Sequence, residues 1–366
     1  MTTFPRTWAE VDLRALRHNL QQIRARLSPP ARLALVVKAD AYGHGLVPIS
    51  RAAVRLGADW VAVATVQEGI ALREAEVDAP IIVLAPVLAL EAPQVVFYGL
   101  RSLVESFETA EAISKEAEKQ ERTARIHLKI DTGMSRFGVQ AEEAAGLAAR
   151  IASLPAMEME GAATHFADAA GSPDYTRWQF DRFRKALHEM KAAGVQVAIR
   201  HCANSAALAL FPEAVLDMVR IGVFAYGIKH VETDLDLRPV LSWKARVMAM
   251  RCLPPGRKIG YVRTYETDRP SRIATLGAGY GDGYHRALSN RAEVVIHGKR
   301  APVRGIVAMD QIMVDVTDIP EAKVGDAAGL IEPPITAESL AKIVDTTPHE
   351  IPTRIMSRVP RRYSSA

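Results

Sequence analysis

Cysteine is almost missing: Cys202 and Cys252 are the only two in 366 residues. Two thiols this far apart build no disulfide scaffold and lack metal-ligand spacing, so neither a zinc nor an iron–sulfur site is expected. An excess of one charge is missing as well. The chain sets 46 Lys and Arg against 42 Asp and Glu, and its arginines are scattered rather than gathered into a stripe, which argues against a nucleic-acid partner. No apolar stretch approaches the roughly 20 residues of a membrane span, and the opening residues 1–8 have no apolar signal core. The expectation is a cytoplasmic protein with no membrane partner. Repeats of fixed period and low-complexity segments are also lacking. What is plentiful is apolar residue, at 49%, enough for a large core in two domains or in one barrel plus a smaller module.

Eight short, β-branched runs precede residue 230: 33–37, 60–64, 81–84, 101–104, 126–130, 157–162, 195–201 and 218–221. Helical patterns separate them. Leu13, Leu16, Leu20 and Ile23 share one helical face, and so do Phe180, Phe183, Leu187 and Met190. The alternation reads as a mainly parallel α/β sheet, and eight strands close a (β/α)8 barrel. Without the polar run 101–104, an open doubly wound sheet is the competing topology. After residue 232 the texture changes. Leu241, Trp243, Ala245, Val247 and Ala249 alternate as a strand does, Pro254-Pro255-Gly256 makes a turn, and 272–276, 293–297 and 312–316 continue as short strands. Residues 336–344 suit a short helix capped by Thr336. The expected organisation is α/β: a TIM-type barrel domain over 1–232, then a mainly β domain over 233–366. The strand at 8–12 is expected to pack with the second domain.

Polar and glycine residues fall just past the strand ends, where barrels of this kind carry their chemistry. Lys38 ends the first run, where poor hydration lowers an amine's pKa and makes it nucleophilic, as a Schiff-base lysine requires. A lysine snorkelling into solvent is the alternative. DTGMSRFG (131–138) follows the fifth run, Thr164-His165 the sixth and Asn204-Ser205 the seventh, with Arg220 to Val223 at the eighth. Singly, His165 reads as a core histidine and Asn204-Ser205 as a helix cap. Five such signals at one rim are hard to ascribe to chance.

The strings VVKADAYGHG (36–45), HLKIDTGMSRFG (127–138), THF (164–166), HCANSA (201–206) and RIGVFAYG (220–227) resemble the alanine racemase family. The resemblance covers nearly the whole chain, continuing through TY (264–265), AGYGDGY (278–284), AMDQ (308–311) and RVPR (358–361). It implies a pyridoxal 5'-phosphate (PLP) enzyme that interconverts L- and D-alanine for peptidoglycan, built as a head-to-tail homodimer with shared active sites. By the same resemblance, Lys38 carries the cofactor and serves one face of the substrate Cα, while Tyr265 serves the other from the partner chain. Tyr42, Asn204, Ser205, Gly222 and Val223 belong to the cofactor cradle, and His165 links the Tyr265 hydroxyl to Arg220.

Arg220 faces the pyridine nitrogen in this family. An arginine keeps its proton, so that nitrogen stays unprotonated and the ring is a weaker electron sink. The resemblance further implies that Arg136 and the Met309 backbone bind the substrate carboxylate, that Lys129 is carbamylated, and that Tyr280 and Arg286 line the access path. Alignment on RVPR puts a further phosphate-binding tyrosine of the family at Ser357. Gly260 and Val262 stand where the family usually has serine and glycine. From the residues alone, Arg220 also reads as a structural ion-pair arginine and Tyr265 as a plain core aromatic. Alternatives in function are a broader-specificity amino-acid racemase, a PLP decarboxylase of basic amino acids, disfavoured by Arg220, and a non-catalytic PLP carrier barrel, which would lack the second domain.

Overall fold

The β-branched runs pair side by side in the computed structural model, which describes residues 4–364. Arg32–Val36, Trp60–Val63, Ile81–Val83, Arg101–Val104, Ala124–Asp131, Met157–Ala163 and Ile199–His201 are parallel neighbours in that order, and Met218–Ile221 pairs back onto the first. Between the seventh and eighth strands, Asp217 N donates to Arg200 O at 3.1 Å and Arg220 N to Ala203 O at 3.0 Å, so the barrel is nearly closed. Arg101–Val104 is paired on both sides, which removes the open-sheet alternative. The seventh strand is shorter than expected. Val195 N is held by Met190 O at 2.9 Å, as the tail of helix Pro173–Ala192 turns through Gly194 at φ 84°, so the ladder starts only at Ile199.

Amphipathic helices cover the barrel. Leu13–Arg24 starts where the Asp12 carboxylate accepts from Arg14 N and Ala15 N, and it buries Leu13, Leu16, Leu20 and Ile23. Pro173–Ala192 buries Phe180, Phe183 and Met190. Inside the barrel a smaller cluster, including Ala34, Trp60, Ile82, Leu103 and Met218, fills the floor beneath the polar rim. Packing there leaves no slack. A Cβ on Gly161 would meet Ile199 O at 2.6 Å and also the His127 ring, so Gly161→Ala should cost about 1–3 kcal/mol. A lower urea midpoint with an unchanged slope is the expected reading.

Leu241–Leu253 is the hub of the second sheet system. Its buried Leu241, Trp243, Ala245 and Val247 alternate with less buried neighbours, and it pairs antiparallel with Thr7–Val11, Ser271–Leu276 and Ala327–Ile331. Thr7–Val11 also pairs parallel with Arg361–Tyr363, so an early and a late segment of the chain meet in this sheet. Helix Ala337–Val344 starts at Thr336, whose hydroxyl accepts from Ser339 N at 3.2 Å. The short helix Glu350–Thr353 packs on the Lys38–Gly43 turn and brings the C-terminal part of the chain to the barrel mouth. No helix among the described residues is long and apolar enough to cross a membrane.

Candidate active site

A cavity of about 460 Å³ opens at the carboxyl ends of the barrel strands. Its wall includes Lys38, Tyr42, Lys129, Arg136 and His165. Asn204, Ser205, Arg220, Gly222 and Val223 complete the opposite side. Eight of these ten sit at or just past strand ends in the sequence, Tyr42 and Lys129 enter through the family resemblance, and the structure brings all ten round one space. Among the described residues no group of His, Cys, Asp and Glu could hold a metal ion.

Past Lys38 the chain makes one turn of left-handed helix, with φ between 52° and 56° from Ala39 to Tyr42. L-residues disfavour this conformation by roughly 1–2 kcal/mol each, so neighbouring groups must hold it. Glu68 Oε1 accepts from Ala39 N at 2.7 Å, Asp40 Oδ1 from Leu46 N at 2.7 Å and Asp40 O from Gly45 N at 2.8 Å. Gly43, at φ 82°, lies against the Pro352 carbonyl with no room for a Cβ. The turn aims both Lys38 and Tyr42 at the cavity. Burial, then the charges of Arg136 and Arg220, lower the Lys38 pKa, with Glu68 opposing. Burial pushes the Tyr42 hydroxyl up to about 12, so it stays a donor. Its ring is tilted against Tyr226 at 5.1 Å, and the Tyr226 hydroxyl donates to Val36 O at 2.8 Å.

Arg220 is buried and has no carboxylate partner among the described residues, which removes the ion-pair alternative. Nη2 donates to Thr164 O at 2.9 Å and to His165 Nδ1 at 3.0 Å, and Nη1 to His201 Nδ1 at 2.7 Å. A guanidinium only donates. Both Nδ1 atoms therefore accept, and each neutral ring keeps its proton on Nε2. His201 Nε2 then donates to His127 Nδ1 at 2.8 Å, and His127 Nε2 to Glu160 Oε2 at 3.3 Å. The chain of bonds leaves the His165 Nε2–H unused. Burial, then the Arg220 charge, hold His165 and His201 well below the ordinary histidine range. Arg220 itself is pulled down to about 10 by burial and remains charged at neutral pH.

These imidazoles carry a stability prediction. Burial lowers His127 and takes His44 down to about 4, so with His165 and His201 four rings stay neutral in the folded state. Below the unfolded value of about 6.5, the unfolded chain binds the additional protons. Stability should therefore be full above that pH and fall between about pH 6.5 and 5.5, by up to about 1.4 kcal/mol per pH unit for each ring. Urea titrations across that range check it, and a flat midpoint contradicts it.

Lys129 Nζ donates to Ile130 O at 3.0 Å and lies 5.1 Å from the centre of the Phe137 ring, which Arg136 Cζ approaches to 5.6 Å. Burial, then Arg220, pull its pKa down to about 8, with Asp131 opposing. Asp131 shapes the loop that presents Arg136, accepting from Gly133, Met134 and Ser135 N at 2.9 to 3.2 Å. Ser205 Oγ accepts from Gly222 N at 3.3 Å. Asn204 lines the cavity, but its Oδ1 accepts from Ala207 N at 3.0 Å and caps the helix Ser205–Leu210.

Tyr265, Met309, Tyr280 and Arg286 do not line the cavity of their own chain. The Tyr265 ring lies under Arg304 at 4.5 Å, Met309 is 53% exposed and Tyr280 43% exposed. Tyr261 and Val262, shortly before Tyr265 in the chain, are exposed as well. Ser357, the position that alignment on RVPR gives to the family's further phosphate-binding tyrosine, is exposed and lies outside the cavity. The C-terminal part of the chain contributes His349 instead, because the helix Glu350–Thr353 rather than the RVPR string packs on the left-handed turn. Nothing local in residues 346–352 marks that histidine. His127 and His201 had a signal in strand alternation with Lys129 and in the end of the seventh strand, but no local pattern showed that they would join.

A model of the alanine racemase N-terminal domain matches residues 11–230, and one of the alanine racemase C-terminal domain matches residues 240–363. The alanine racemase of Symbiobacterium thermophilum is 48% identical, covering 98% of this chain and 97% of its own. Among solved structures, that of Clostridium difficile 630 alanine racemase superposes with a TM-score of 0.96 at 36% identity, over 100% of this chain and 97% of its own. Alanine racemase from Bacillus anthracis with bound L-Ala-P gives a TM-score of 0.93 at 33% identity, over 100% and 96%.

Proposed function

The chain belongs to the alanine racemase family and interconverts L- and D-alanine, and from that premise we propose that its cavity holds pyridoxal 5'-phosphate and is completed by a second copy of the chain. The observation that carries this reading is a buried Arg220 with no carboxylate partner, set in the same cavity as a poorly hydrated Lys38 amine. The cradle fits a phosphate. Gly222 and Val223 supply backbone at the end of the eighth strand, Ser205 and Tyr42 supply hydroxyls, and a Cβ on Gly222 would meet the Tyr42 hydroxyl at 2.6 Å. The cofactor, when bound, would withdraw electrons from the substrate and acidify its Cα–H.

Racemisation needs a proton carrier on each face of Cα. Lys38 would hold the cofactor through its amine and, once released, exchange a proton on one face. The partner subunit's Tyr265 would serve the other face, with His165 Nε2–H as its hydrogen-bond partner and Arg220 keeping that imidazole neutral. Arg136 and the partner subunit's Met309 backbone would hold the substrate carboxylate. Tyr280 and Arg286 would line the access path and restrict the side chain to a methyl, although one methylene discriminates by only about 1–3 kcal/mol. Weak turnover of serine is therefore expected. We place the division of the chain at 1–232 and 233–366, counting Thr7–Val11 with the second unit because its ladder partners lie there. The role this supports is cytoplasmic supply of D-alanine for peptidoglycan.

Lys129, titrating near 8 beside two arginines, suits carbamylation. Its neutral amine would attack CO2, forming an N–C bond and losing one proton, and the resulting anion would orient Arg136. At fixed CO2 pressure, occupancy should rise from pH 7 to 9 as the neutral amine fraction grows. Native mass spectra should show one added CO2, lost under degassing together with most activity and restored by bicarbonate. An unmodified mass at full activity would reject it.

The function is tested by incubating the protein with L-alanine in deuterated water. Ellipticity should decay to zero with one deuterium at Cα, and borohydride should fix the cofactor on Lys38. Retained optical activity with a bound cofactor would favour another substrate.

A further inference from the structure

Two imidazoles at the edge of the cavity, His349 and His230, have no part in the proton transfers. His349 comes from the C-terminal part of the chain and meets the Tyr42 ring edge-on at 6.2 Å. The hydroxyl of that tyrosine lies beside Gly222, whose amide is bonded to Ser205, so His349 adjoins the same donor set. Its Nε2 is 3.3 Å from Thr347 Oγ1, whereas its Nδ1 is buried and has no hydrogen-bond partner. A buried unpaired nitrogen costs roughly 1–3 kcal/mol; Nδ1 is closed to solvent where it stands, and a turn of the ring that presents it to an acceptor in the cavity would relieve that cost. The position is firm: Thr353 Oγ1 donates to His349 O at 2.7 Å, and Pro352 abuts Gly43 of the left-handed turn.

We propose that His349, with His230 beside it, is a protonatable contact for the phosphate of the cofactor, so that cofactor retention tightens as the medium turns from alkaline to mildly acidic. The inference rests on the reading that PLP occupies the cavity. Lys38 and Tyr42 face His349 from the left-handed turn, His230 from the segment after the eighth strand, and Glu350 from its own helix. Burial, then the Lys38 charge, hold His349 below its ordinary value, while Glu350 opposes. His230 is likewise lowered by burial and then by His349. A phosphate dianion reverses the sign of the dominant neighbouring charge, so the bound group would draw a proton onto the imidazole. A phosphate monoester takes its own second proton near pH 6, so the gain should lie between about pH 6.5 and 8.5. The hydroxyl of a tyrosine in this place could donate but would not titrate there.

The test is the dissociation rate of PLP from holoenzyme into an excess trap, followed by absorbance for wild type, His349→Tyr and His349→Gln at pH 6.5 and 8.5. Taking ratios to wild type at each pH cancels the pH dependence of the Lys38 linkage. Both variants should lose PLP faster than wild type, with the ratio at least about fivefold larger at pH 6.5, about 1 kcal/mol. In the phosphorus NMR spectrum of wild-type holoenzyme, the phosphate signal should show an inflection shared with the His349 ring and absent from His349→Tyr. This second readout also stands if His349→Gln folds poorly. Ratios equal at the two pH values, or a phosphate signal indifferent to His349, overturn the proposal while leaving the cofactor reading intact. Wild-type protein that retains no PLP at either pH overturns both.

Discussion

Mixed dimers of a Lys38→Ala chain and a Tyr265→Ala chain, isolated through two different tags, should recover about half of the wild-type racemisation rate although each parent should be inactive. The arithmetic follows from shared sites in a two-fold dimer. If each site takes Lys38 from one chain and Tyr265 from the other, a mixed dimer has one site with both residues intact and one with neither. If instead both residues came from the same chain, every site would carry one lesion and no activity would return. Each parent alone should fall at least about 10³-fold, because each has lost one of the two proton carriers. The structure motivates the experiment directly. Tyr265 does not line the cavity of its own chain, and Tyr261 and Val262, which shortly precede it, and Met309 are between 53% and 79% exposed. Recovery near zero in verified mixed dimers would sink the shared-site reading.

Arg220→Gln should lower the rate of racemisation by at least about 10²-fold and move the acid limb of the pH–rate profile to higher pH. The Arg220 charge is the second cause, after burial, that keeps His165 and His201 neutral. Removing it lets both rings take a proton at a higher pH than in wild type. A protonated His165 carries hydrogen on Nδ1, the atom that now accepts from Arg220, and the ordered donor chain through His201 and His127 to Glu160 is lost with it. A lower rate with an unmoved acid limb would assign Arg220 a purely packing role. Urea titration of the same variant separates the two effects, since one glutamine amide cannot replace all the donors that Arg220 supplies to carbonyls and imidazoles.

The alternation of β-branched runs with helical faces determined the parallel eight-strand barrel, because burial on both faces of a parallel sheet leaves a pattern along the chain. It also determined that polar groups sit at or just past the strand ends, where eight of the ten cavity residues between Lys38 and Val223 lie, Lys129 and Tyr42 being the other two. Tertiary structure alone decided three other matters. The left-handed turn from Ala39 to Tyr42 runs against local preference and exists because Glu68, Asp40 and the close approach of Pro352 hold it. The Arg220 network joins residues from four strands or strand ends whose contact no local pattern announces. His349 reaches the cavity through the packing of a four-residue helix, whereas Ser357, beside the more conspicuous RVPR string, is left in solvent. Local sequence encodes periodicity and strand ends, since those follow from backbone geometry and burial. Which distant side chains meet depends on how the finished layers pack, and that free energy is settled only when the whole chain has folded.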